Sequence, residues 1–124
     1  VNKVTDANCT IININSPYSH FSRELTVANN QLWLASGGVN QVFSYRFLDH
    51  GFASLIDGQW SIYNRLNRRE LRGENPNDVN DDLFDFLTVA VHPDNGKVYA
   101  GSYIGGLIEF DGTNMTLYND KNST

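Results

Sequence analysis

The fold is decided by residues 86–118, which read FLTVAVHPDNGKVYAGSYIGGLIEFDGTNMTLY. Short apolar runs in this stretch are separated by Pro-Asp-Asn-Gly, Gly-Gly and Asp-Gly, which tolerate the backbone conformations of tight hairpins. The runs therefore predict four antiparallel strands, at residues 86–91, 97–102, 107–111 and 115–118. Helical periodicity is weak along the chain, apart from residues 64–74.

A first copy of the same pattern lies upstream, which is the mark of a repeat architecture. The matched blocks are residues 25–28 with 87–90, 32–36 with 98–102, and 56–64 with 110–119, the last with one extra turn residue in the second copy. The first copy accordingly predicts strands at residues 24–28, 31–36, 52–57 and 59–63.

Strands such as residues 32–35 and 88–91 are apolar almost continuously, which favours sheets covered on both faces. Repeated four-stranded meanders of this kind are the units of a β-propeller. We therefore predict an all-β fold: a β-propeller fragment of two four-stranded antiparallel blades plus an N-terminal strand near residues 9–15. The predicted segments are an N-terminal segment (1–20), a first blade (21–64), an inter-blade insertion (65–85) and a second blade (86–124).

The blade motifs resemble those of the two-component-regulator type of β-propeller. Leu-Trp-Leu-Ala-Ser at 32–36 and Asp-Gly-x-Trp-Ser-x-Tyr-Asn at 57–64 carry the resemblance, and residues 90–94 and 101–110 look most like the PorZ-like propeller of the type IX secretion system. The resemblance implies a bacterial, extracytoplasmic setting and no catalytic residues. Because two blades cannot close a ring, we expect a fragment of a longer protein, completed by further blades or by self-association.

Composition excludes several functional classes. Nine Lys+Arg against 14 Asp+Glu give a net charge of −5, which argues against binding to nucleic acid or to an anionic membrane. The apolar runs are far shorter than a transmembrane helix, so no membrane span is expected in this chain. Cys9 is the only cysteine, so neither an intrachain disulfide nor a thiolate zinc cluster is expected.

No catalytic or cofactor motif is present. The chain lacks GxSxG, HExxH and phosphate-loop patterns, and His20, His50 and His92 share no metal-ligand spacing. We therefore expect no enzyme, no cofactor and no metal centre. The acidic stretch 75–85 begins with the spacing of a calcium loop but lacks its glycine and its bidentate glutamate, which excludes an EF-hand and leaves a looser calcium site open.

Candidate binding residues lie in two long segments. Successive turns of a meander alternate between its two rims. The second turn of each copy and the connection between the copies therefore lie at one rim, which includes residues 37–51 and 64–85. The tight turns lie at the other rim. Long loops on a rigid scaffold are where binding residues concentrate. The candidate binding residues on this rim are Tyr45, Arg46, His50, Arg68, Arg69 and Tyr103.

The charged and aromatic residues of these segments allow two interpretations. The four arginines between residues 65 and 72 would share one face of a helical turn, either as a solvated insertion with weak ion pairs or as a docking surface for an anionic sugar or a protein. In the loop, we expect Phe43 and Phe47 to pack against the blades while Tyr45 and Arg46 face a ligand.

The expected function is a non-catalytic, extracytoplasmic binding or scaffold module of a bacterial secretion or cell-surface attachment protein, in the periplasm or at the cell surface. Its partner would be a protein or a surface glycan. The alternative is the sensing propeller of a two-component regulator, which would bind an oligosaccharide. A propeller glycosidase or lyase would need a carboxylate pair or a His/Tyr cluster near the axis, and the sequence shows none.

Overall fold

The computed structural model describes residues 10, 12, 14–73, 75, 77–78 and 81–122. Sheet 1 contains β1 (Glu24–Ala28), β2 (Gln31–Ala35), β3 (Phe52–Ile56) and β4 (Gln59–Tyr63). Sheet 2 contains β5 (Phe84–Val91), β6 (Val98–Ile104), β7 (Leu107–Phe110) and β8 (Met115–Tyr118). Both sheets are antiparallel meanders in chain order, and a short 3-10 helix at Arg69–Leu71 lies between them.

The predicted all-β class and both four-stranded meanders are confirmed, with small differences at the strand ends. β5 begins at Phe84, two residues earlier than predicted, and β6 continues to Ile104. The two sheets do not form a closed ring. Three of the seven residues of the predicted N-terminal strand, including Cys9, lie outside the described residues, and its described positions 10, 12, 14 and 15 are not in a strand. Within the described part of the chain, no helix has the length and apolar character needed to cross a membrane.

Turn chemistry fixes the hairpins of sheet 1. Asn29 and Asn30 have φ values of 51° and 60°, and Asp57 and Gly58 have values of 49° and 76°. Two successive residues with positive φ are typical of the type I′ turns that match strand twist. The local sequence therefore suffices to specify where these strands reverse.

Cross-strand register shows which residues of the two sheets are equivalent. The predicted match of Leu-Trp-Leu-Ala-Ser to Val-Tyr-Ala-Gly-Ser is confirmed, because Leu34 and Ala100 occupy the same position in β2 and β6. Leu25 pairs with Leu34, whereas Val89 pairs with Ala100. The identical Leu-Thr-Val-Ala tetrapeptides are therefore two residues out of register, and that part of the sequence match was wrong.

The clearest equivalence between the two sheets is a close contact between a glycine and a tyrosine that each of them contains. Gly51 and Gly106 precede the third strand of their sheets, and a Cβ atom on either would lie 1.9 Å and 2.2 Å from the carbonyl oxygens of Tyr63 and Tyr118. The spacing from glycine to tyrosine is the same in both copies. The second copy therefore has no extra turn residue, so that expectation was wrong, and the two Asp-Gly pairs are one position out of register.

After each tyrosine the chain turns through the same asparagine motif. Asn67 accepts a hydrogen bond from the N–H three residues before it (3.0 Å) and donates one to the carbonyl five residues before it (2.8 Å). Asn122 makes the same two bonds, at 2.8 Å and 2.7 Å. The sequence Tyr-Asn-x-x-Asn is thus a structural signature of the repeat.

Each sheet has one face made only of apolar side chains, the apolar face, and one that combines aromatic with hydroxyl or charged side chains, the mixed face. The apolar faces are Leu25, Val27, Leu32, Leu34, Ala53, Leu55, Trp60 and Ile62 in sheet 1, and Val89, Val91, Val98, Ala100, Ile108, Phe110, Met115 and Leu117 in sheet 2. The mixed faces are Glu24, Thr26, Trp33, Ala35, Phe52, Ser54, Ser61 and Tyr63 in sheet 1, and Thr88, Ala90, Tyr99, Gly101, Leu107, Glu109, Thr116 and Tyr118 in sheet 2.

The core lies where the mixed face of sheet 1 packs on the apolar face of sheet 2. The ring of Phe110 lies 4.9 Å from that of Tyr63 and 6.1 Å from that of Trp33, and Phe52 and Phe86 are 5.4 Å apart. Phe52, Phe86 and Phe110 are at most 1% exposed. Aromatic pairs at such distances stabilise a fold by about 0.5–1.5 kcal/mol each beyond the area that they bury.

Side chains of β1 bind the backbone edge of β5. The N–H of Val89 donates to Glu24 Oε2 (2.9 Å), and Thr26 Oγ1 donates to the carbonyl of Val89 (2.7 Å). Hydrogen bonds from the Thr88 hydroxyl and from the Val89 N–H lower the pKa of Glu24. The neighbouring strands of the two sheets are therefore joined by side chains rather than by a backbone ladder.

Candidate functional site: a clamped aromatic loop

A buried carboxylate holds the long loop, residues 37–51, to the start of β5. Asp85 is 1% exposed and accepts hydrogen bonds from the N–H groups of Arg46 (2.9 Å), Phe47 (2.9 Å) and Leu48 (3.0 Å). The N–H of Asp85 donates in return to the Leu48 carbonyl (3.0 Å). Hydrogen bonds to a charged group contribute about 1.5–3 kcal/mol each, so this clamp fixes the backbone of the loop.

The beginning of the long loop is fixed by a close backbone approach. The N–H of Gly37 donates to the Phe86 carbonyl at 2.7 Å. A Cβ atom at Gly37 would lie 2.3 Å from the Asp85 carbonyl carbon, so no larger residue fits without a backbone shift. The loop is thus attached to β5 at two places.

The clamped loop presents exposed rings. Tyr45 is 41% and Phe47 59% exposed, and their ring centroids are 5.1 Å apart. Tyr103 meets Tyr45 edge-on at 5.5 Å, and its hydroxyl donates to the Phe43 carbonyl. Phe84 packs edge-on against Phe47 at 5.9 Å. We call Phe43, Tyr45, Phe47, Phe84 and Tyr103 the aromatic patch.

The expectation that Phe43 packs against the sheets was wrong, whereas Phe47 contacts Phe84 of β5 but stays largely exposed. Phe43 is 72% exposed and Phe47 59% exposed. Both have positive φ, 55° and 54°, and the N–H of Phe47 donates to Asp85. The clamp binds the backbone N–H groups of residues 46–48, while the rings of Phe43 and Phe47 remain exposed to solvent.

A cleft of about 190 Å³ opens beside the aromatic patch. It is lined by Tyr45, Phe47, Asp82, Phe84, Asp85 and Ile104. Asp82 accepts hydrogen bonds from Arg65 Nε (2.5 Å) and from the Gly73 N–H (2.9 Å), so both carboxylates of the cleft already have partners within the chain. The cleft is below the volume of about 300 Å³ typical of small-molecule pockets and suits one protruding side chain.

The connection, residues 64–83, is more than a solvated insertion. Leu71 is fully buried and Leu83 is 2% exposed, and the Leu83 N–H donates to the Leu71 carbonyl (3.0 Å). Arg65 forms the ion pair with Asp82 and lies 5.5 Å over the Phe84 ring. The connection therefore contributes to the core and supports one wall of the cleft.

The arginines of the connection do not share one free face, because the only regular turn described there is the 3-10 helix. Arg68 lies 5.4 Å over the Phe110 ring and donates to the Thr113 carbonyl (3.3 Å), at the end of sheet 2 that carries the β7–β8 turn. Arg69 donates to the Gly73 carbonyl (3.2 Å), and Arg72 donates to carbonyls within the connection. Arg68 and Arg69 are thus not placed in the aromatic patch.

Two other candidate residues meet around Phe21. The Arg46 guanidinium lies 4.7 Å from the Phe21 ring centroid, and His50 stacks on the same ring at 5.9 Å. Tyr18 lies 5.5 Å from His50, whose buried Nδ1 atom has no partner among the described residues. Residues 16–21 and His50 line an open depression of about 520 Å³.

Sequence reasoning missed the residue that organises this site. Asp85 stands between Phe84 and Phe86 in an otherwise apolar run, and a lone carboxylate in that setting signals a buried, bonded acid. Phe21 was missed because nothing in residues 16–23 predicts a contact with the long loop.

The structure gives the acidic stretch 75–85 roles within the chain. Among the described residues, no group of three or more His, Cys, Asp or Glu side chains is arranged to hold a metal ion. Asp82 binds Arg65, and Asp81 lies 3.6 Å from Lys121 Nζ. Asn80, which belongs to the calcium-like spacing, lies outside the described residues.

No family model, curated protein or solved structure matches this chain. The resemblance of its motifs to two-component-regulator propellers therefore stays a prediction.

Proposed function

We propose that this chain is a non-catalytic binding module that docks a protein partner on its aromatic patch. The observation that carries the proposal is the Asp85 clamp, which holds three consecutive loop residues while the rings beside them stay exposed. Aromatic side chains are enriched in protein interfaces. Rings on a backbone that is already fixed lose little conformational freedom on binding.

The shape of the site favours a protein over a small metabolite. Tyr45, Phe47 and Tyr103 form an exposed cluster of rings beside a cleft that suits a single side chain. A protruding apolar side chain in such a pocket, surrounded by aromatic contacts, is the usual arrangement of an interface hot spot.

The proposal extends to the setting of the protein. We place the two sheets as blades of a β-propeller in a bacterial extracytoplasmic protein of secretion or surface attachment. The support is the repeat itself, with its matched register and its Tyr-Asn-x-x-Asn turns, together with the resemblance of the blade motifs.

Site-specific photo-crosslinking in the native cells tests the docking surface. A photoreactive residue at Phe47 should give one discrete protein adduct, whereas the same residue at Asp57, in the tight β3–β4 turn, should give none. Tyr45→Ala combined with Arg46→Ala should abolish the Phe47 adduct while the circular dichroism spectrum stays unchanged. An adduct from position 57 alone, or a Phe47 adduct that survives the double substitution, would overturn the proposal.

A second candidate function is the recognition of an oligosaccharide. It is favoured by the open depression in which Tyr18, Phe21 and His50 bring aromatic faces and an unpartnered ring nitrogen together. A glycan array probed with the labelled chain should then show hits that Phe21→Ala removes and that Tyr103→Ala, in the aromatic patch, retains. An array without hits would exclude this candidate and leave the protein-binding proposal untouched.

A further inference from the structure

We propose that the cleft beside the aromatic patch receives an arginine side chain of the docked protein. This arginine anchors the docking proposed above, so the assignment rests on that proposed function. Two features carry it: a buried carboxylate that has no cation beside it in the described part of the chain, and the rings that form the walls around it.

Asp85 brings to the cleft a negative charge that no described cation balances. Its carboxylate accepts three hydrogen bonds, but all three donors are neutral backbone N–H groups, at residues 46–48. Bonds on both oxygens use the ionised form of the group, which only accepts. Among the described residues, no lysine, arginine or histidine forms an ion pair with Asp85. Its charge is therefore hydrogen-bonded but not neutralised.

The arginines that lie beside the cleft have other partners. Arg65 forms its ion pair with Asp82, the second acid of the cleft. The Arg46 guanidinium lies over the Phe21 ring, and Arg46 does not line the cleft. Two acids and one paired arginine thus leave one negative charge in the cleft. A concave site with low-dielectric walls concentrates the field of such a charge and attracts a cation from a partner.

The walls of the cleft present aromatic rings, whose faces attract cations. Three rings line it: Tyr45, Phe47 and Phe84. A guanidinium is attracted to a ring when it lies within about 6 Å of the centroid. Arg65 already shows this combination within the chain, because it bonds to Asp82 at 2.5 Å and lies 5.5 Å over the Phe84 ring. Asp85 and the rings beside it offer the same combination to a second guanidinium.

An apolar side chain would match the cleft less well than a cation. It would cover Asp85 without a counter-charge, and excluding water from a charge that has no opposite partner costs free energy. The two acids of the cleft are buried, whereas Phe47 and Ile104 are more than half exposed. An extended side chain with a charged end suits this arrangement, with its stem against the exposed apolar groups and its charge beside the acids.

Arginine matches this environment better than lysine. Asp85 accepts three hydrogen bonds and Asp82 accepts two, so five of the roughly eight acceptor positions of the two carboxylates are filled. A lysine ammonium is a strongly hydrated point charge, and few acceptor positions remain to replace its water. A guanidinium is more weakly hydrated and stacks on rings. Arginine is also enriched among the residues that dominate the energy of interfaces.

A pair of probes that differ in charge tests the assignment. N-acetyl-arginine amide and N-acetyl-citrulline amide have nearly the same shape, but the ureido group of citrulline is neutral. Each is titrated into the isotope-labelled full chain, and the backbone amide signals of residues 46–48 and 84–85 are followed by NMR. The arginine probe should bind about tenfold or more tightly than the citrulline probe. Salt at about 1 M should reduce this difference, because it screens the charge.

Two variants that replace an exposed ring by leucine locate the bound probe. Phe47→Leu removes a wall of the cleft but keeps apolar bulk, and it should weaken binding of the arginine probe about threefold to fivefold. The variant retains the clamp, since Phe47 donates to Asp85 through its backbone N–H. Tyr118→Leu, at an exposed ring on the mixed face of sheet 2, is the matched control and should leave the affinity unchanged.

Other outcomes overturn the assignment. Equal affinities for the arginine and citrulline probes identify an uncharged occupant, and N-acetyl-lysine amide that binds as tightly as the arginine probe excludes the preference for a guanidinium. Shifts spread over the acidic surface identify unspecific attraction to the net charge of −5. The absence of any shift in the presence of about 50 mM arginine probe excludes binding in the cleft.

Failure of this assignment is distinguishable from failure of the proposed function. Photo-crosslinking from position 47 detects docking whichever side chain of the partner enters the cleft. A discrete adduct from that position together with equal probe affinities would retain the docking surface and refute the arginine.

Discussion

Tyr103 near the end of β6 and Tyr45 in the long loop meet edge to face, with ring centroids 5.5 Å apart. The contact joins a loop of sheet 1 to a strand of sheet 2, and the Tyr103 hydroxyl donates a hydrogen bond to the carbonyl of Phe43. Two segments that are distant in sequence thus form one surface.

Replacing Tyr103 separates the contribution of the ring from that of the hydroxyl. Tyr103→Phe should lower the free energy of unfolding by about 1 kcal/mol, because one hydrogen bond is lost. Tyr103→Ala should lower it further, since the ring contact disappears as well. Urea denaturation measures both, with Tyr118→Phe on the mixed face of sheet 2 as the matched control. Equal losses from Phe and Ala would contradict the role of the ring.

Removing the clamp should loosen the loop. Asp85→Ala leaves three backbone N–H groups without their acceptor and should cost about 3 kcal/mol or more. Asp85→Asn keeps one acceptor oxygen and should cost less. Hydrogen exchange at residues 46–48 should accelerate in both variants. Asp57→Asn, at an exposed turn position with a similar positive φ, is the control and should change neither measurement.

Two adjacent glycines should differ sharply in their tolerance of alanine. A Cβ at Gly37 would lie 2.3 Å from backbone atoms of β5, whereas at Gly38 the nearest atom is Arg46 Cδ at 3.5 Å. Gly37→Ala should therefore destabilise the fold by about 3 kcal/mol or more, in the range of overpacked cores. Gly38→Ala should stay within about 0.5 kcal/mol of the wild type. Thermal unfolding of the two variants measures this difference. Equal melting temperatures would contradict the close approach of Gly37 to β5.

Acid should weaken the contact between the sheets through Glu24. Its pKa is lower in the folded state than in the unfolded chain, so the folded state binds fewer protons in that range. The stabilisation is therefore complete above the ordinary glutamate pKa of about 4.3 and is lost as the pH falls through the lowered folded value. Glu24→Gln should reduce stability at pH 7 and flatten the acid limb of the stability profile. An unchanged acid limb would show that Glu24 does not couple the sheets.

The hairpins could be predicted because their determinants are local. Asn29-Asn30 and Asp57-Gly58 supply positive φ beside short apolar runs, and these signals lie within a few residues of the strands that they join. The register of the Leu-Thr-Val-Ala segments could not be predicted in the same way. Identity of four residues says nothing about which residue of the next strand each one faces, and pairing in β5 is shifted by an irregularity between Phe86 and Thr88.

The candidate site could not be predicted from the sequence, because it depends on contacts between distant segments. Asp85 acquires its role only when the long loop folds back over β5, where its carboxylate binds the backbone of Phe47 and leaves the ring exposed. The choice of Tyr45 and Tyr103 as partners on one rim followed from strand parity, which is a topological argument. Parity does not describe how a side chain is used, so Arg68 was placed with them although it reaches toward Thr113.

The side chains that bind the edge of β5 bear on aggregation. Residues 86–91 are a run of apolar and β-branched residues without charge, the kind of segment that pairs with its own copies when its edge is free. Glu24 and Thr26 occupy both hydrogen-bonding groups of Val89 at the middle of that run. A charged side chain thus acts as a gatekeeper over this uncharged run, and exposure of its edge in a partly unfolded chain should promote pairing with other copies.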